Sequence, residues 1–155
     1  MAMPVSVAKP IVGVDVAKDE LVIYHAETDR LEALPNTKAA IKKWLKELSA
    51  PVDVAIEATN IYHQEFADLA YAQGCVIYMI GGYELSHYRK GVKVRAKTDA
   101  LDARLLARYL NNEGHQLHPW TPPSPLYCRL ISLFRRRAAL VQARVSLKQS
   151  WSNEP

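Results

Sequence analysis

Residues 11–17 (IVGVDVA) form a β-branched run with a carboxylate, Asp15, set inside it. Such a run predicts a buried strand. A charged side chain in a buried strand is costly unless it is paired or binds a cation, so a fold built on this strand must bring compensation to Asp15. The pattern returns at residues 52–58 (VDVAIEA), where Glu57 lies near the end of another predicted strand.

The remaining pattern organises itself around these two strands. Residues 20–27 (ELVIYHAE) and 30–35 (RLEALP) read as extended and complete a meander with tight connections. Residues 36–49 predict a helix with Asn36 as N-cap and an apolar stripe of Ala40, Ile41, Trp44, Leu45 and Leu48. After the strand that carries Glu57, residues 60–74 predict a helix stopped by Gly74. Residues 75–80 (CVIYMI) predict a strand, and 83–91 a short helix or turn. Residues 99–111 predict a helix that buries Leu101, Leu105, Leu106, Tyr109 and Leu110.

Residues 118–125 (HPWTPPSP) are a break, followed by one long helix over 125–150. This divides the chain into a domain over 1–118, a Pro-rich break over 119–125 and a long helix over 126–155. Apolar residues recur near heptad spacing along that helix, as in a coiled coil, although Arg137 interrupts the seam. The order is α/β: a mixed five-stranded sheet with flanking helices and an added C-terminal helix. It fits the ribonuclease H-like layout, and it fits one half of an actin-like ATPase equally well.

A chain of 155 residues is one ordinary domain with room for an appended helix, and it is long enough to bury a core. No apolar run is long enough to span a bilayer, and the first ten residues lack the apolar region of a signal peptide. Cys75 and Cys128 form no spaced motif, so reduced thiols and a cytoplasmic protein are expected. The net charge of +4 is unevenly placed: six Lys or Arg and no acid lie between Ser124 and Ser150, and Arg89, Lys90, Lys93, Arg95 and Lys97 form a second cluster. Stripes of this kind suit a polyanion, most simply nucleic acid, and solvated helix faces would look the same.

Four acids stand out against this background. Asp15 and Glu57 belong to the carboxyl-terminal parts of two strands, where open α/β folds place ligands. Asp99 and Asp102 are one helical turn apart inside a basic stretch. Carboxylates are the hard ligands that Mg²⁺ and Mn²⁺ prefer, and two such ions can clamp both oxygens of a phosphodiester displacement. A duller account is available for each: Asp15 in a capped or turn position, Asp99 as a helix N-cap, Asp102 at the third helical position or paired with Arg104 or Arg108, Glu57 paired with a lysine. Several other residues fit the picture without fixing it. Thr59 and Tyr62 are placed to brace Glu57, and Tyr83, His87, Tyr88 and Arg89 mix aromatics with cations as nucleic-acid surfaces do. His115 and His118 have no third ligand nearby, which argues against zinc.

Three stretches, GVDVAKD (13–19), IEATNIYH (56–63) and KTDALDARLLARY (97–109), resemble the amino-terminal domain of the DEDD transposases, insertion-sequence recombinases related to the Piv invertase and linked with bridge-RNA-guided recombination. The resemblance spans roughly residues 11–147. It implies a RuvC-like, ribonuclease H-type catalytic domain acting on DNA phosphodiesters, with Asp15, Glu57, Asp99 and Asp102 as the catalytic, metal-binding acids of a Mg²⁺ or Mn²⁺ site, expected to hold two ions. With DNA and a guide (bridge) RNA as expected partners, Lys18, Arg89, Lys90, Lys93, Arg95, Lys97 and Arg104 are the expected phosphate contacts. It also implies a homodimer through the long helix, and a second domain beyond it carrying a serine for strand attachment. The readings it competes with are a stand-alone RuvC-like junction resolvase, an ATPase half, and a non-catalytic nucleic-acid binding or dimerisation module. The ATPase half is weakened by Val16, Ala17 and Lys18, where a phosphate loop wants Gly and Thr or Ser.

Overall fold

The computed structural model describes residues 9–58, 61–92 and 98–152. In chain order the elements are β1 (Ile11–Val16), β2 (Glu20–His25), β3 (Arg30–Pro35), α1 (Lys38–Glu47), β4 (Asp53–Glu57), α2 (Gln64–Ala72), β5 (Val76–Ile80), α3 (Gly82–Gly91), α4 (Asp99–Glu113), a short 3₁₀ turn (Gly114–Gln116) and α5 (Pro125–Ser152). The sheet order is β3-β2-β1-β4-β5. β1, β2 and β3 form an antiparallel meander, while β4 and β5 run parallel to β1. Each parallel connection needs a crossover, and α1 and α2 supply them.

Strand alternation decides what each face of the sheet buries. Val12, Val14 and Val16 of β1, Leu21 and Ile23 of β2, and Val54 and Ile56 of β4 point to one side, where Ile41, Trp44 and Leu45 of α1 and Phe66, Ala67 and Ala70 of α2 cover them. The opposite face is covered by α3 and α4, whose Leu85, Leu105, Leu106 and Leu110 pack with Ala55 and Ile80. At the hairpin end, Trp44 Nε1 donates to Glu32 at 2.7 Å, and the His25 ring bonds the same carboxylate oxygen. Burial of Glu32 pushes its carboxyl up, but the His25 and Trp44 bonds and the charges of His25 and Arg30 hold it below the usual range.

Both N-caps that matter to the site differ from the sequence expectation by one residue. Thr37, not Asn36, caps α1, its hydroxyl accepting from the Ala40 amide at 3.4 Å. The Asn36 amide is used elsewhere: it donates to the Ala17 carbonyl at 2.9 Å and the Tyr62 carbonyl at 3.2 Å, tying together the loops that follow β1 and β4. Thr98, not Asp99, caps α4, with its hydroxyl accepting from the Leu101 amide at 3.3 Å. Helix α2 starts at Gln64, later than its apolar pattern predicts, and α3 is a full helix of 10 residues.

The chain divides into two compact units between Thr121 and Pro122. Trp120 belongs to the first: its amide donates to the Ile77 carbonyl at 2.7 Å, and its ring meets Tyr71 edge-on at 6.0 Å. The second unit is chiefly α5, a helix of 28 residues with exposed Leu126, Leu130, Leu133, Phe134, Leu140 and Leu147. No described helix is both long and apolar enough to cross a membrane.

Candidate metal-binding and catalytic site

The site follows from the two-residue period of the strands. Val12, Val14 and Val16 face α1 and α2, so Gly13 and Asp15 face α4. On β4 the same alternation sends Val54 and Ile56 one way and Ala55 and Glu57 the other. The parallel register pairs Val14 with Ile56; continued by one residue, it sets Asp15 beside Glu57 on the α4 face. The two strand acids therefore share one face and one end of the sheet.

Helix α4 can approach them because β1 has no side chain at Gly13. A Cβ built there would lie 1.9 Å from the Ala103 carbonyl oxygen and 2.7 Å from the Ala107 amide nitrogen. The helix backbone therefore lies directly on the strand, with Ala103 and Ala107 at the contact, both essentially inaccessible. Close approach delivers the first turn of α4 to the site, with Asp99 exposed at its start and Asp102 only 3% exposed.

The charges of the other three acids reach Asp15. The half-buried Asp15 carboxyl is pushed up to about 6, first by burial and then by the negative charges of Asp102, Asp99 and Glu57. A hydrogen bond with the Val16 backbone pulls the other way without offsetting them. Asp102 has its own partner: Nη2 of Arg89, on α3, donates to its Oδ1, and both side chains are largely buried. Because Thr98 caps α4, capping does not account for Asp99. Asp102 pairs with neither Arg104 nor Arg108, so the surface-pair account of it also lapses.

Two carboxylates at one end of the sheet and two in the first turn of α4 are the right donors in kind for Mg²⁺ or Mn²⁺. Repulsion on Asp15 is what a bound cation would relieve. Among the described residues, no three Asp, Glu, His or Cys side chains close on a common ion-holding point; Asp102 is directed to Arg89. His115 and His118 are exposed and belong to no such group.

The basic residues separate into engaged and open ones. Arg89 is engaged with Asp102. Arg104 bonds Asp29 at 3.1 Å and lies over the Tyr24 ring at 5.0 Å, which clamps α4 to the β2–β3 hairpin. Arg89 is largely buried in its pair, whereas Arg104 remains exposed alongside its ion pair. Lys18 and Lys90 are exposed. Lys18 borders an open cavity of about 500 Å³, together with Lys38, Glu65 and Asp68. None of the four site acids lines it. Lys93, Arg95, Lys97 and Thr59 lie outside the described residues.

Residues 12–153 match a family model described as a transposase, the IS110-type DEDD group. This span takes in almost the whole chain. The chain belongs to the IS110-type DEDD transposase family. Pilin gene-inverting proteins of Moraxella lacunata and Moraxella bovis are each 28% identical to this transposase-family chain over 138 residues. The match covers 84% of the chain and 42% of each relative, so the chain spans less than half their length. Thermus thermophilus RuvC, in one structure bound to a Holliday junction substrate, superposes with a TM-score of 0.50 at 12% identity, covering 72% of this chain and 99% of the RuvC chain. That likeness establishes a RuvC-like fold, and the transposase family match, rather than the fold, speaks against the ATPase half.

Sequence reasoning missed the structural part played by Arg89 and by Gly13. For Gly13 the signal was present: it shares the face of Asp15 by the two-residue period, and a glycine there marks close approach of another backbone. For Arg89 no local signal exists, because its partner is 13 residues away on a separate helix.

Proposed function

We propose that this chain is the divalent-metal-dependent catalytic domain of a DNA recombinase, acting on phosphodiesters during transposition. The observation that carries the reading is geometric: Asp15 and Glu57 share one face and one end of the sheet, and the Gly13 contact brings α4, with Asp99 and Asp102 in its first turn, onto β1. The raised carboxyl of Asp15 agrees with this placement. A domain gains no stability by crowding like charges at a sheet end, so the arrangement is best explained by a cation that the chemistry needs. Membership of a transposase family and the similarity to gene-inverting proteins support DNA as the substrate. They also favour this reading over a stand-alone junction resolvase.

Asp15, Glu57, Asp99 and Asp102 would hold the metal, Mg²⁺ or Mn²⁺, as two ions. Bound there, the ions would neutralise charge on the transferring phosphoryl group and lower the pKa of an attacking water or hydroxyl. The protein's own contribution is to fix the acids: β1 and β4 present two of them in register, the Gly13 contact sets α4 at the strand, and Arg89 holds one oxygen of Asp102. Lys18 and Lys90 would meet the DNA backbone, with Lys93, Arg95 and Lys97 of the same basic run. A guide RNA, a cytoplasmic location and a homodimer through α5 belong to the same proposal. The dimer is supported by exposed leucines along a helix that has no acid between Pro125 and Ser152.

Asp15→Asn tests the reading with two signs at once. Metal binding should fall at least tenfold, followed by Mn²⁺ calorimetry, while the metal-free protein should become more stable at neutral pH. The folded carboxyl titrates near 6 against an ordinary value of 3.8, so the folded state binds the proton more tightly. Its stabilising share is present at low pH and is lost as pH rises through that window. Neutralising the group should therefore add about 1 kcal/mol at pH 7, allowing for solvent screening, and flatten the pH slope between about 4 and 6 in urea unfolding. Unchanged metal affinity in the variant would defeat the reading.

A further inference from the structure

Helix α3 has two faces with different employment. Its inner face is spent on the body of the domain: Leu85 is 2% exposed, Arg89 is paired with Asp102, and Tyr88 meets Tyr109 edge-on at 4.9 Å while its hydroxyl accepts from Asn112. On the outer face Tyr83, His87 and Lys90 follow one another at helical spacing and are all exposed. Tyr83 is 77% exposed, yet its ring is stacked on that of His87, with centroids 4.1 Å apart and planes tilted by 40°. His87 is held in place by a 2.9 Å bond between its Nδ1 and the Tyr83 carbonyl. Glu84, the acid nearest in sequence, is turned back to the helix start, where it accepts from the Gly81 amide.

A pair of touching rings facing solvent beside a cation is an arrangement that accepts an unpaired base, which stacks on an aromatic face while the cation meets its phosphate. Local charge agrees with this occupant. From Arg89 the sequence continues through Lys90, Lys93, Arg95 and Lys97, with no acid before Asp99. We propose that Tyr83 and His87, with Lys90, form a stacking site for an unpaired base of a DNA strand. The site lies across α3 from the arginine that holds Asp102, about one helix width of 10–12 Å away. The inference rests on the DNA-processing function proposed above and adds to it that the strand near the acids is held single-stranded, with one base out of its duplex.

The test uses the chain as it stands, with a fluorescently labelled single-stranded oligonucleotide and its duplex, and a strand carrying 2-aminopurine to report stacking. Tyr83→Ala should fold with an unchanged melting temperature, weaken single-strand binding by about 5- to 100-fold, and abolish 2-aminopurine quenching. Tyr83→Phe should keep both, and duplex binding should change less than twofold in either variant. Equal losses on single strand and duplex would overturn the proposal, as would an unchanged single-strand affinity in Tyr83→Ala. A Tyr83-dependent preference for RNA over DNA of the same sequence would overturn the choice of strand. A wild-type chain that binds no DNA at all would instead remove the function on which the proposal rests.

Discussion

Gly13→Ala should unfold or badly weaken this domain, because the added methyl has nowhere to go. Its Cβ would meet the Ala103 carbonyl oxygen and the Ala107 amide nitrogen, both backbone atoms of α4, at separations no packed structure tolerates. Side-chain rotation cannot relieve a clash with backbone, so the helix itself must retreat. Overpacking of ordinary side chains costs about 1–3 kcal/mol, and displacing a whole helix places this substitution at about 3 kcal/mol or more. The consequence reaches the site directly, since α4 carries Asp99 and Asp102. Any surviving folded protein should show the Asp15 carboxyl returning toward its ordinary value as its neighbours withdraw. Urea unfolding and NMR titration of the Asp15 carboxyl measure both effects. Gly91→Ala is the control, since a Cβ there meets nothing within 4 Å. Wild-type stability in Gly13→Ala, with Asp15 titrating as before, would mean that α4 does not lie on β1 as described.

The second large effect is expected at Arg89. Replacing it with methionine keeps most of the buried stem but leaves Asp102, 3% exposed, without its cation. Breaking a buried pair from one side costs about 3–5 kcal/mol, because the remaining charge has lost both water and partner. For a chain of this size that corresponds to a melting temperature lower by roughly 10 °C. Removing the charge as well, in Arg89→Met with Asp102→Leu, should recover most of the loss, since apolar replacement of a whole buried pair is often neutral. A single variant as stable as the wild type would show that Asp102 does not depend on Arg89.

The contrast between these two residues shows what a sequence of this kind discloses. Strand and helix order was legible because the period changes from two to 3.6 residues in clear segments, and because β1 and β4 are β-branched. Asp15 was legible as the one charge in an apolar strand, and Glu57 as the acid at the carboxyl-terminal end of β4, which also carries Asp53 at its start. The helix caps were less so: Asn36 and Thr37 are both good N-caps, and so are Thr98 and Asp99, and only the backbone angles choose between neighbours. The pairings of Arg89 and Arg104 were not legible, since their partners Asp102 and Asp29 come from elements that meet only after folding. A basic run identifies affinity for anions; it does not say which members the protein keeps for itself.

The central claim is that the four acids form one metal site, and its most direct test is a crystal of this chain soaked in Mn²⁺, with the anomalous signal measured at the α4 face of the sheet. The account predicts Mn²⁺ held by Asp15 together with at least two of Glu57, Asp99 and Asp102. Mn²⁺ bound only elsewhere, with the four carboxylates pointing apart, would contradict it and leave the domain as a nucleic-acid binding or dimerisation module.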